Sequence, residues 1–124
     1  YPELHYGRDA LVGIALFLSH LATCGKTCSV LRSGYPNYFM SKKKIDAPAN
    51  KEAVQDIMKA IETKYKKQPV NKTDGLKIEF EDSWIHLRTS NTEPIIRIYT
   101  ESQSQTMADN LAFKIMDDIK QVMR

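Results

Sequence analysis

Residues 76–81 read LKIEFE, with Leu76, Ile78 and Phe80 alternating against Lys77, Glu79 and Glu81. Successive side chains of a strand point to opposite faces, so this alternation prescribes a strand buried on one side and wet on the other. The pattern returns after the short connection EDSW, where Ile85 and Leu87 point to the core and Trp84, His86 and Arg88 take the opposite parity. It returns once more at Ile96 and Ile98, beyond a polar loop. Strands joined by connections this short pair antiparallel, because a parallel pair needs a much longer crossover.

Helical stripes flank these strands. Val54, Ile57, Met58, Ile61 and Tyr65 mark one face of a helix that opens after Asn50, a good N-cap. Glu52 stands near its positive end, and Lys64, Lys66 and Lys67 near its negative end, as the helix dipole favours. A last helix carries Ala108, Leu111, Ala112, Ile115, Ile119 and Val122 on one stripe. With a further strand from about Tyr38 to Ile45, the order is β-α-β-β-β-α. The expected class is α+β, with a mostly antiparallel four-stranded sheet and both helices on one face.

The first third of the chain has a different character, and the domain boundary is placed close to Pro36. YPELHYGRD reads as a short strand running into a helix start, with Asp9 as the cap. Leu11, Ile14, Ala15, Leu18, Leu21 and Ala22 recur at helical spacing, and Val12, Leu16 and Phe17 add apolar surface outside that stripe. A helix apolar on nearly every side needs cover on nearly every side. Self-association through residues 10–22 is the expectation if nothing else covers it. Gly25 ends this helix, and Thr27 opens a short second one.

Composition narrows the classes of function. A hydrophobic share of 42% and a charged share of 27% describe a folded chain rather than a disordered tail. A formal net charge of +3 does not argue for nucleic acid, and the apolar run ALVGIALFLSHLA is too short for a membrane span. No basic leader precedes an apolar segment and a cleavage site, so a cytoplasmic protein is expected. Cys24 and Cys28 lack the partner pair of a zinc site and read as reduced thiols. The start at Tyr1, without Met, points to a piece of something longer.

The loop RTSNTEP, residues 88–94, contains almost nothing that can pack in a core. Arg88 offers a planar fork of donors suited to two phosphate oxygens, Ser90 and Thr92 offer hydroxyls, and Asn91 an amide. Successive backbone N–H groups in such a turn can converge into an anion nest. Glu93 suits orientation of Arg88 or of a loop N–H, and Pro94 stiffens the exit. The same residues also suit a plain hairpin turn with Arg88 paired to Glu93 on the surface. Lys42, Lys43 and Lys44 read as a solvated strand face.

RTSNTEP followed by IIRIYTES resembles the C-terminal phosphate-binding loop of the α-D-phosphohexomutases, the family of phosphoglucomutase, phosphomannomutase and phosphoglucosamine mutase. TDGLKIEFEDSWIHLRTSNTEP is similar to sequence around the family's fourth domain, and YGRDALVGIALFLSHLA to the last long helix of its third. The resemblance implies that residues 1–35 are the end of an α/β third domain and residues 36–124 the phosphate-binding fourth. It implies phosphate contacts from Arg88, Ser90, Asn91 and Thr92, with Glu93 and Pro94 supporting the loop. The implied partners are a phosphosugar and the remaining domains of the same chain, with no nucleic acid and no membrane. Family members transfer a phosphoryl group between a serine and the sugar, with Mg²⁺ on an Asp-rich loop. Neither feature stands in this sequence, so no catalytic residue and no metal ligand is expected here, and Mg²⁺ is expected only in the full-length enzyme. Asn91 resembles the phosphomannomutase/phosphoglucomutase branch, since many phosphoglucosamine mutases have Gly there. A phosphoglucosamine mutase, a non-catalytic sugar-phosphate module and a nucleic-acid-binding sheet are the alternatives.

Overall fold

The computed structural model describes residues 1–124, in two compact units, Tyr1–Pro36 and Asn37–Arg124. In the first unit, helix α1 (Ala10–Cys24) begins where the Asp9 side chain accepts from the Val12 N–H. It ends at Gly25, whose φ of 61° lets its N–H turn back to the carbonyls of Leu21 and Ala22. Helix α2 (Cys28–Ser33) is capped by Thr27. Residues 1–9 form turns and no strand, which corrects the expectation for YPELHYGRD. The N–H groups of Leu4 and His5 turn back to the Tyr1 carbonyl at 3.1 and 3.2 Å, and the Gly7 N–H donates to His5 Nδ1, so partners a strand would need are taken locally. No residue of α1 is buried.

The second unit is built on strands β1 (Phe39–Asp46), β2 (Val70–Asn71), β3 (Leu76–Glu79), β4 (Trp84–Thr89) and β5 (Ile95–Ser102). They form one sheet in the order β1-β5-β4-β3-β2, and every pairing is antiparallel. The sheet has five strands rather than the expected four. The extra one, β2, has two residues, too few to show a period of two in sequence.

Helices α3 (Lys51–Lys64) and α4 (Gln105–Val122) supply the cover for one sheet face. Ile57 and Ile61 of α3 join Ala112, Ile115 and Ile119 of α4 over Ile78, Ile85, Leu87, Ile96 and Ile98 in a single core. Isoleucine dominates because a β-branched side chain packs well on a pleated surface, and burying each such side chain fully contributes about 1.5–3 kcal/mol. Asn50 caps α3 by accepting from the Glu52 N–H, and Ser104 caps α4 by accepting from the Met107 N–H. No helix is long and apolar enough to cross a membrane.

The register decides what the uncovered face carries. Arg88 of β4 lies opposite Arg97 of β5, and Arg97 lies opposite Lys44 of β1. In the next row Lys42, Tyr99, His86 and Lys77 stand side by side. The alternation that buries Ile85, Leu87, Ile96 and Ile98 thus presents a basic, partly aromatic surface on the other side.

Candidate functional site

The loop between β4 and β5, residues 90–94, is closed by the sheet at both ends. The Ser90 N–H donates to the Ile95 carbonyl at 3.1 Å, and the Ile95 N–H returns to the Glu93 carbonyl at 2.8 Å. The Pro94 carbonyl accepts from the Ala47 N–H at 2.8 Å, which ties the loop exit to the connection between β1 and α3. Proline lacks an N–H but keeps its acceptor, so Pro94 both stiffens and anchors the loop.

Within the loop, Ser90 Oγ accepts from the backbone N–H groups of Thr92 and Glu93 at 3.4 and 3.3 Å. Thr92 Oγ1 lies 3.4 Å from the same oxygen. No loop residue has a positive φ, so the turn does not use the alternating handedness of one kind of anion nest. Instead two N–H groups and a hydroxyl gather round one serine oxygen. Those contacts are long, and donors held so loosely can turn to a stronger acceptor. Asn91 and Thr92 are exposed, and Ser90 is partly covered.

Arg88 sits at the start of this loop, and its Nη2 is 3.0 Å from Asp74 Oδ2. Glu93 does not orient it: the Glu93 carboxylate lies 3.9 Å from Arg97 Nη2 instead. The reason is the register. Arg97, four residues after Glu93, stands on the strand that Glu93 leads into, whereas the turn before β3 carries Asp74 up to Arg88. Arg97 is a candidate for this site that reading the sequence missed. Residues 88 and 97 face each other across the hairpin, and counting outward from the loop would have paired them. Like charges directly opposite one another repel, and Asp74 and Glu93 offset that repulsion. Lys44, third in the row, makes no ion pair.

A cleft of about 480 Å³ opens beside the loop, between residues 89–95 and the segment that leads into α3. Asn91, Thr92 and Lys51 line it, and its floor includes Val54. Neither Arg88 nor Arg97 lines this cleft, and Lys51 is its one cation. Another cavity, of about 350 Å³, is walled by Glu79, Glu81, Asp82 and Glu101 around Trp84. That concentration of carboxylates repels a phosphate, so the loop side is the one suited to anions.

No group of His, Cys, Asp and Glu comes together that could hold a metal ion. Of the adjacent acids in α4, Asp118 is taken by Lys64 Nζ and Tyr65 Oη, each at 2.6 Å.

Residues 40–118 match the family model described as phosphoglucomutase/phosphomannomutase, C-terminal domain. A phosphoglucomutase/phosphomannomutase of Thermococcus kodakarensis is 34% identical over 122 residues, which are 95% of this chain and 26% of that protein. A phosphoglucosamine/phosphogalactosamine mutase of Sulfurisphaera tokodaii is 36% identical over 113 residues, 90% of this chain and 25% of that one. The chain thus spans about a quarter of the length of the relatives it matches. A crystal structure of a phosphoglucomutase/phosphomannomutase family protein from Burkholderia thailandensis has the same fold over 77% of this chain and 19% of its own, with a TM-score of 0.50 and 23% identity. The loop, the sheet that holds it and the matched residues 40–118 identify the chain as a member of the phosphoglucomutase/phosphomannomutase family that carries its C-terminal domain.

Proposed function

We propose that this chain is the C-terminal part of a phosphohexomutase that interconverts hexose 1-phosphate and hexose 6-phosphate through a phosphoserine and a bisphosphorylated sugar. Residues 88–94 hold the phosphate that is not being transferred. Residues 1–35 belong, on this reading, to the end of the preceding α/β domain, and residues 36–124 form the phosphate-binding domain. The observation that carries the proposal is the placing of Arg88 and Arg97 opposite one another beside a loop in which two N–H groups and the Thr92 hydroxyl gather round the Ser90 hydroxyl.

An enzyme that moves phosphate between the two ends of a sugar must bind its intermediate in two orientations. The fixed site must then recognise phosphate and tolerate either end of the sugar beyond it. Guanidinium, hydroxyl, amide and backbone N–H groups do this, because they read charge and oxygen rather than ring stereochemistry. The bound phosphosugar and the other domains of the protein are the partners, and the phosphoserine and Mg²⁺ come from those other parts. The cytoplasm, where such sugar phosphates are made, is the proposed location.

Asn91 favours a phosphomannomutase or phosphoglucomutase, and the relatives named for amino sugars keep phosphoglucosamine as the second reading. Measuring kcat/KM of the full-length protein on mannose, glucose and glucosamine phosphates separates these. In that protein Arg88→Ala should cost about 2–4 kcal/mol of transition-state stabilisation, the range for removing a charged, desolvated partner. Arg88→Lys should recover only part, since an ammonium lacks the fork. A folded Arg88→Ala enzyme that turns over at the wild-type rate would make this loop a turn and nothing more.

A further inference from the structure

Asp74 lies outside the loop, on the turn between β2 and β3, yet its carboxylate meets Arg88 Nη2 at 3.0 Å. We infer that Asp74 is the positioning residue of the phosphate site, holding one corner of the Arg88 guanidinium so that its remaining donors face the anion. This deepens, and rests on, the reading of residues 88–94 as a phosphate grip.

The turn that carries Asp74 is itself fixed. Asn71 Oδ1 accepts from the Thr73 N–H at 2.8 Å, and His86 Nε2 donates to the Asp74 carbonyl. Gly75, at a φ of 78°, presses so close to β4 that a Cβ there would lie 2.2 Å from the Leu87 carbonyl oxygen. Leu87 directly precedes Arg88. The turn and the arginine are therefore docked on the same stretch of backbone, and the carboxylate arrives at a defined place.

The arginine needs such a tether. Arg97 stands opposite it and Lys44 beyond, so an unheld guanidinium is pushed outward by its own neighbours. The ion pair is solvent-exposed, with side-chain exposures of 48% and 64%, so as a stabilising contact it contributes little. Its value is geometric. A guanidinium has five N–H donors, and one nitrogen engaged by Asp74 leaves the others for a phosphate. A donor already held loses less conformational freedom when the ligand binds.

This role and simple electrostatics predict opposite signs. Removing a carboxylate beside an anion site raises the local positive potential and should tighten binding. Removing a positioning carboxylate should weaken it. We would titrate the 124-residue chain with inorganic phosphate and with glucose 1-phosphate by NMR, following the wild type, Asp74→Asn, Asp74→Glu and Arg88→Ala. Asparagine suits the turn, and thermal unfolding of each variant checks the fold. The expected result is that Asp74→Asn weakens both ligands by about threefold to tenfold, the weight of one side chain left to be ordered on binding. Asp74→Glu should recover part of the loss. In the wild type the Arg88 Nη–H resonances should be resolved by restricted rotation of the guanidinium before ligand is added, and in Asp74→Asn they should average toward those of a free arginine. Unchanged or tighter binding in Asp74→Asn, beside a clear loss in Arg88→Ala, overturns the positioning role and leaves the loop reading standing. Unaltered binding in Arg88→Ala overturns both. A free-arginine signal in the wild type overturns the positioning role by itself, whatever the variants do.

Discussion

The Tyr65 hydroxyl donates to Asp118 Oδ2 at 2.6 Å, beside the Lys64 ammonium on Oδ1, in a place where Tyr65 and Asp118 are both buried. A buried carboxylate is costly unless its oxygens are satisfied, and here residues at the end of α3 satisfy one on α4. Tyr65→Phe keeps the ring and removes the donor, so it should destabilise the fold by about 1–3 kcal/mol, read as a lower Tm. Burial first, then the hydrogen bond and charge of Asp118, push the Tyr65 phenol well above its ordinary 10.0. A raised phenol favours the neutral form in the folded chain. Its stabilising share is therefore complete below pH 10.0 and is lost as the pH climbs above it. Unfolding measured through the alkaline range should steepen in the wild type and flatten in Tyr65→Phe.

Between elements, the join of β1 to α4 is polar. Ser41 Oγ donates to Asp109 Oδ1 at 2.6 Å, Gln105 Nε2 donates to Oδ2 at 3.0 Å, and Lys43 Nζ lies 3.6 Å away. Lys43 also stands over the Phe113 ring, 5.1 Å from its centre. The lysine run of β1 is thus not one solvated face: Lys42 and Lys44 point outward, while Lys43 points to the helix side. The Ser41 hydroxyl, then Gln105, hold the Asp109 carboxyl below its ordinary 3.8. Such a group stabilises the fold above that pH, and the contribution is lost as pH falls below it. Asp109→Asn should lower stability slightly at neutral pH, converge with the wild type in acid, and so flatten the acid limb of a stability curve, the small size being that of a partly exposed network. Gly75 belongs to the same scale. Gly75→Ala combines a positive φ with a clash against the Leu87 carbonyl, and should cost about 1–3 kcal/mol while disturbing the turn that carries Asp74.

Beyond the second unit, the outstanding feature is the apolar side chains that α1 leaves exposed. Leu11, Ile14, Leu16, Phe17 and Leu18 of α1 are all exposed, Leu11 by 77%. Apolar surface of this extent is normally covered by another molecule or another part of the same one. The 124-residue chain should therefore self-associate through residues 10–22, and Leu16→Lys with Phe17→Ser should shift it toward monomer in light scattering. A monomeric wild type at high concentration, with α1 amides as protected from exchange as those of β5, would sink this expectation. In the second unit, the eight-residue β1 is an edge strand, and its outward Lys42 and Lys44 are the kind of charge that discourages edge-to-edge pairing.

What the sequence determined by itself was everything set by neighbours in the chain. The caps at Asp9, Thr27 and Asn50 were legible because each bonds an N–H two or three residues away. The alternation at Leu76 and Ile78 was legible because strand parity is local, and it sorted Arg88 onto the open face. The loop residues Arg88, Ser90, Asn91 and Thr92 stood out because a core has no use for them. The tertiary structure decided what depends on register and on docking. Only the pairing of β4 with β5 set Arg97 against Arg88, and only the docking of Gly75 on Leu87 delivered Asp74 in place of Glu93. Asp118 on α4 is buried because Tyr65, 53 residues earlier, arrives over it. Partners so distant in the chain leave no periodic trace, since nothing in a sequence records which strand faces which until the sheet has closed.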